Sequence, residues 1–433
     1  MFKKYRLTVF VVIMMVVILG FASSAFAGQT LTGSFEHGPY TRTYYYYVPD
    51  SYDGSEPVPL LMAFHGMGGS GSIPTGNFNS IADEEGFIVV YPSSTTLTDV
   101  GPYGPMLPQI PVFISGVQWD PGIGIALQYY PEYEVDDVGF VSRLIDVLSE
   151  EFNIDQTRVY ATGFSSGSMF SWNLAMNLSD KIAAVAPVSS PMTLLFLEQE
   201  PVRPITVIAA GGDSDNVVPF HGGPCYFNAL QGEPVFASFY DSGAYWAEKN
   251  GIDTEPVVDR VASNILRTTY SGGHYGTEVI LYHVEGGGHA YYNLPQLNSR
   301  VIWNHLKEHS LPEYDIEWLP PLTAKGDYVV KNGTTLPLKF QLLGFADGNV
   351  VEDIQDIFVT IEGEGLEQTW ELGSGRNALR FDESEFHYIL NFHTRDYELI
   401  EGSIYKATVY NSDGKKLGRS ISFELSSKKS KLK

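Results

Sequence analysis

The chain has 433 residues, of which 44% are hydrophobic and 13% aromatic, enough for sizeable cores and a length that points to two domains or more. Its 27 basic and 51 acidic residues give a formal net charge of −24, which argues against nucleic acid or an anionic lipid surface as a partner. Cys225 is the only cysteine, so no internal disulfide forms and the fold relies on packing alone.

In chain order, the first feature is a basic start, Lys3, Lys4 and Arg6, followed by the apolar run Leu7 to Leu19 and then Ala25-Phe26-Ala27. This is the pattern of a secretory leader over residues 1–27, with the mature chain beginning at Gly28. Its removal leaves a charge of about −27, an exported chain and no membrane attachment.

From Arg42 to His309 short β-branched or aromatic runs alternate with longer amphipathic segments, the signature of βα units around a largely parallel sheet. Strands are predicted at Arg42–Val48, Pro59–Phe64, Gly86–Tyr91, Arg158–Gly163, Ile182–Pro187, Ile205–Ala209 and Val279–Val284. Helices are predicted at Asp136–Glu151, Ser166–Leu178, Ala237–Asn250 and Leu294–His309. Thr95 to Tyr133 has no regular period and reads as a long excursion shaping a pocket mouth, with Trp119, Tyr129, Tyr130 and Tyr133 as wall residues. Residues 28–310 thus form an α/β domain, and the proline-containing stretch 311–321 reads as a linker. Beyond it, short alternating runs separated by Gly, Asn and Asp turns predict a β-sandwich over 322–426, and 427–433 form a basic tail.

The sharpest chemical signal is Gly163-Phe164-Ser165-Ser166-Gly167, set between a predicted strand and a predicted helix. Such a turn exposes a serine hydroxyl and needs glycines on both sides because neighbouring segments pack closely. A serine needs a base. His289 is the leading candidate, since Glu285-Gly286-Gly287-Gly288 follows a strand and lets a short loop carry the imidazole back over the sheet edge. His221 and His274 are its rivals. The acid belongs between serine and histidine in the chain, where Gly211-Gly212-Asp213-Ser214-Asp215 leaves a buried strand; both aspartates qualify, with Asp215 favoured. Phe64-His65-Gly66-Met67-Gly68-Gly69 closes an earlier strand and can set the Met67 N–H opposite that of Ser166 as an oxyanion hole. His65 and Trp119 are expected to contact substrate. No metal or cofactor is called for, because no ligand spacing such as H-E-x-x-H is present.

Taken together, Tyr45-Tyr46-Tyr47-Val48-Pro49, Phe64 to Ser70, Val135-Asp136-Asp137-Val138-Gly139-Phe140, Gly163 to Gly167, Asp215-Asn216-Val217-Val218-Pro219-Phe220 and Gly287-Gly288-His289 resemble one known group. It is the extracellular polyhydroxybutyrate depolymerase-like and feruloyl esterase-like branch of the α/β-hydrolases. The resemblance implies a Ser165, Asp215, His289 triad and selects Asp215 over Asp213. It also implies a secreted serine ester hydrolase acting through an acyl-serine, on polyhydroxyalkanoate-type polyesters or on feruloyl or acetyl esters of plant polysaccharide. Met67 stands where many members carry a cysteine, and of the tryptophan-rich segment only Val117-Gln118-Trp119-Asp120 is recognisable. The second domain resembles a PxKF-type sandwich through Pro337-Leu338-Lys339-Phe340, which by analogy implies a polymer- or surface-binding accessory. Two other classes share these residues: a degenerate binding protein on the same scaffold, and a serine peptidase.

Overall fold

A computed structural model describes residues 28–95, 119, 135–224, 235–323, 328–345, 348–351, 354–373 and 377–426. The expected leader, the basic tail, Cys225 and the segment Thr95–Tyr133, apart from Thr95 and Trp119, lie outside the described residues. Among those described, no helix is long and apolar enough to cross a membrane.

The chain divides into two units, one running to Ser271 and resuming over Glu278–Leu311, the other made of Gly272–Thr277 and the chain from Pro312 onward. The first is built on a ten-stranded sheet of β1 (Gln29–His37), β2 (Tyr40–Val48), β3 (Val58–Phe64), β4 (Ile88–Pro92), β5 (Ile154–Phe164), β6 (Ala184–Val188), β7 (Thr206–Gly212), β8 (Val257–Ala262), β9 (Ile265–Tyr270) and β10 (Val279–Val284). Their order is β1-β2-β4-β3-β5-β6-β7-β10-β9-β8. The six strands from β4 to β10 in that order are parallel, with β1, β2, β8 and β9 antiparallel at the flanks. This is the α/β-hydrolase fold.

The central strands read as unbroken apolar runs because both faces are covered; Leu60, Leu61, Met62 and Phe64 of β3 are all fully buried. Among the described residues, five helices accompany the sheet: α1 (Asn79–Glu85), α2 (Asp137–Glu151), α3 (Ser166–Asn177), α4 (Phe239–Lys249) and α5 (Ser299–Leu306). Asp136 caps α2 by accepting from the Gly139 N–H at 2.7 Å, and Phe140, Val141, Leu144, Ile145 and Leu148 form its buried face. α3 is buried along almost its whole length and touches β5, β6 and β3, which fixes its N-terminus at the carboxyl end of the parallel strands.

The second unit is built from β11 (Tyr314–Leu319), β12 (Tyr328–Lys331), β13 (Thr335–Gly344), β14 (Val350–Val351), β15 (Ile357–Gly363), β16 (Leu366–Glu371), β17 (Arg380–Asp382), β18 (His387–His393), β19 (Ile404–Asn411) and β20 (Lys416–Ser426). They form two five-stranded sheets, β11-β13-β18-β17 with β14 paired to β13, and β12-β20-β19-β15-β16. Their inward residues, among them Leu338, Phe340, Val359, Tyr388, Tyr405 and Phe423, form one core. Pro337-Leu338-Lys339-Phe340 lies in β13 (Thr335–Gly344), with Leu338 and Phe340 facing inward. The linker expected at 311–321 is corrected here. β11 (Tyr314–Leu319) is a strand paired antiparallel to β13, burying Ile316 and Trp318 on alternate positions. Prolines at 312, 320 and 321 bracket that strand and do not interrupt it.

Candidate active site

Ser165 sits between β5 and α3 with φ 56° and ψ −114°, a backbone conformation that costs a non-glycine residue roughly 1–3 kcal/mol. Its N–H donates to the Val188 carbonyl at 3.0 Å, tying the turn to the end of β6. The flanking glycines are obligatory for a steric reason. A Cβ on Gly163 would stand 2.2 Å from the Gly167 carbonyl oxygen, and one on Gly167 would stand 2.3 Å from that of Phe64.

Three parallel strands deliver three side chains to one point. His289, beyond β10, places Nε2 2.9 Å from Ser165 Oγ. Its Nδ1 lies 2.7 Å from Asp215 Oδ2, on the loop leaving β7. The other Asp215 oxygen accepts the N–H groups of Val217 at 2.8 Å and Val218 at 2.9 Å, so this nearly buried carboxylate is held at both oxygens. A carboxylate on Nδ1 keeps the ring proton there, which leaves Nε2 as the acceptor for the serine hydroxyl. Ser165 and His289 are both part-exposed, so the hydroxyl and imidazole meet at an edge open to solvent.

The loop carrying His289 is held along its length. Asp213 Oδ1 accepts the Gly286 N–H at 2.7 Å, the Ser214 N–H donates to the Gly287 carbonyl, the Tyr292 hydroxyl to that of Gly288, and Ser189 Oγ to that of Ala290 at 2.6 Å. Ser189 is itself left-handed at φ 62°. The Gly286 N–H, with the imidazole of His283 as a lesser influence, keeps the Asp213 carboxyl below the usual range. His283 bridges Asp213 at 3.1 Å and the Tyr240 hydroxyl at 2.9 Å. Asp213, a rival for the acid from sequence, therefore anchors the histidine loop. That role is missed in the sequence because it depends on which loop lies across the β7 end.

The remaining expected residues divide. Met67 lies in a turn closed by the Gly69 N–H on the Gly66 carbonyl at 3.0 Å. A Cβ on Gly66 would be 3.4 Å from Ser165 Cβ, so this turn runs against the serine elbow. Ser166 opens α3, where the first N–H groups have no intrahelical acceptor. His65 and Trp119, expected to contact substrate, are both buried, which corrects that expectation. His65 is 3% exposed, its Nδ1 donates to the Gly66 carbonyl at 2.8 Å, and its Nε2 accepts the Ser94 N–H at 3.2 Å. Burial lowers its pKa, and both ring nitrogens are spent on holding the strand end. Trp119 is fully buried, stacked on Phe170 with ring centroids 5.0 Å apart and edge-on to Phe64. Of the rival histidines, His221 is exposed beside Phe220 and His274 belongs to the second unit. Among the described residues, no group of three or more His, Cys, Asp or Glu is arranged to hold a metal.

No protein-family model matches the chain. It is similar to feruloyl esterase B of Piromyces equi, 28% identical over 270 residues covering 61% of this chain and 44% of that protein. It is also similar to the bifunctional acetylxylan esterase/xylanase of Neocallimastix patriciarum, 30% identical over 162 residues, 37% of this chain and 20% of that one. The matched regions thus span less than half of these relatives. Among solved structures, the acetyl xylan esterase of Aspergillus awamori aligns over 60% of this chain and 94% of its own, at 16% identity and a TM-score of 0.42.

Proposed function

We propose that the chain is an exported serine carboxylic ester hydrolase acting on feruloyl or acetyl esters of plant polysaccharide. The observation that carries this reading is the unbroken contact from Asp215 through His289 to the hydroxyl of Ser165. The esterase names of the similar proteins supply the ester class, and the leader pattern of residues 1–27 supplies export.

In this mechanism His289 Nε2 takes the Ser165 proton as Oγ adds to the ester carbonyl, and Asp215 stabilises the imidazolium without receiving its proton. The Met67 and Ser166 N–H groups stabilise the tetrahedral oxyanion; one such donor is worth about 3 kcal/mol of barrier. Collapse breaks the C–O bond to the alcohol, which leaves with the proton from His289. Water, deprotonated by the same nitrogen, then releases the acid from acyl-Ser165.

The test is a panel of methyl ferulate, acetylated xylan, feruloylated arabinoxylan and amorphous polyhydroxybutyrate, with Ser165→Ala alongside. The native chain is expected to release ferulate or acetate and to be labelled by a fluorophosphonate. Ser165→Ala is expected to lose both, turnover falling on the order of 10⁶-fold. An active alanine variant refutes the nucleophile, and release of polyhydroxybutyrate oligomers alone refutes the substrate class.

A further inference from the structure

A cleft of about 430 Å³ opens between Gly76–Ile81, beyond the Met67 turn, and Tyr291–Arg300, which begins two residues after His289. Its described lining contains no triad residue, and the ring of Phe164, the neighbour of Ser165, stands between Tyr291 of the lining and His289. That ring lies 5.0 Å from the His289 ring and 6.4 Å from that of Tyr291. The cleft therefore lies one aromatic ring away from Ser165, on the histidine side.

Its chemistry narrows the ligand. Arg300 is the only charged residue among the described residues of the lining, and its guanidinium is already paired with Glu84 and Glu85, so an anionic group gains little there. Asn298 is occupied at both ends of its amide, capping α5 at the Val301 N–H and donating to the Leu294 carbonyl. Ser299 donates to the Gly76 carbonyl. The carboxamides of Asn77 and Asn293 remain, both exposed and without a hydrogen bond among the described residues, beside the rings of Tyr291 and Tyr292. Each carboxamide can donate and accept at once, which matches adjacent hydroxyls. Ile81 is the only aliphatic side chain among the described residues of the lining, which makes a poor slot for an acyl group that must leave water.

From this we infer that the cleft is a subsite for a neutral sugar on the alcohol side of the ester, with Asn77 and Asn293 as specificity-determining residues. The inference rests on the proposed esterase reading and specifies its substrate.

The experiment uses the full chain and the double variant Asn77→Gly/Asn293→Ala. Glycine suits position 77 because its φ is 50°. The first arm compares kcat/KM for a feruloylated arabinoxylo-oligosaccharide with that for methyl ferulate. The ratio is expected to fall about tenfold in the variant, the size of one or two lost hydrogen bonds. The second arm titrates the unesterified oligosaccharide into Ser165→Ala protein by calorimetry, with and without the cleft substitutions, and the same weakening is expected. A ratio changed less than twofold, or oligosaccharide binding that is absent or insensitive to the cleft, overturns the subsite. Failure of the native chain to release either ferulate or acetate from the panel counts against the esterase reading instead, and the calorimetric arm still decides the cleft.

Discussion

The two units place their polar groups differently. In the first, strained backbone, charge and hydrogen bonds gather at the carboxyl ends of β5, β6, β7 and β10: Ser165 and Ser189 at positive φ, Asp215 held at both oxygens, and four separate bonds on the loop of His289. In the second, the interior between the two sheets is mainly aromatic and aliphatic, with scattered buried polar groups such as His387 and Thr394. Local cost collected at one sheet edge and matched by many contacts is the pattern that favours the proposed site, whereas a mainly apolar interior without such a cluster serves packing.

Three measurements sharpen or break this contrast. The largest effect is expected from Asp215→Asn. The side-chain oxygen can still accept from Val217 and Val218, but the NH₂ turned to His289 favours the wrong tautomer. A fall in kcat of about 10⁴-fold with an unchanged melting temperature is expected; a loss below tenfold places the acid elsewhere. Next is Asp213→Ala, which frees the Gly286 N–H and the His283 ring. It should lower kcat about tenfold with little change in KM, and Asp213→Asn, which keeps an acceptor for Gly286, should recover most of it. Equal losses in both variants exclude positioning by that bond.

The smallest effect concerns the second unit. Burial, with help from Lys416 and Arg419, lowers the His274 pKa to about 3 from an ordinary value near 6.5. Between those values the unfolded chain binds a proton that the folded chain refuses, so stability rises with pH across the window and falls as acid is added. The slope is about 1.4 kcal/mol per pH unit. Chemical denaturation of the second unit's transition between pH 6.5 and 4.5, native chain against His274→Asn, should show a shallower dependence in the variant. Identical slopes remove His274 as the cause.

The parts of this fold that were legible in the sequence are those where burial imposes a strong pattern. The central strands and the glycine-flanked serine stand out because close packing permits few alternatives there. β1 and the β8–β9 hairpin escape notice for the opposite reason: they lie at the sheet margins, β1 alternates weakly between exposed and half-buried positions, and Val257 and Val258 point into solvent. α5 is shorter than its apolar pattern suggests because Asn298 caps it and Pro295 stands before the cap. Trp119 illustrates a different failure. An indole in an irregular glycine- and proline-rich stretch invites a reading as pocket wall, yet its stacking on Phe170 serves the core. Asp213 and Asp215 are indistinguishable by type and separated by one residue. Only the course of the histidine loop assigns them different tasks.

The hairpin that sequence overlooked has a mechanical consequence. β10 is bonded to β7 on one side and to β9 on the other, each over the whole of Val279–Val284. The His289 loop is thus mounted on an interior rail and cannot creep along an open margin. A slip of two residues would keep every side chain on its own face yet carry the imidazole about 7 Å along the strand axis, far enough to break its contact with Ser165.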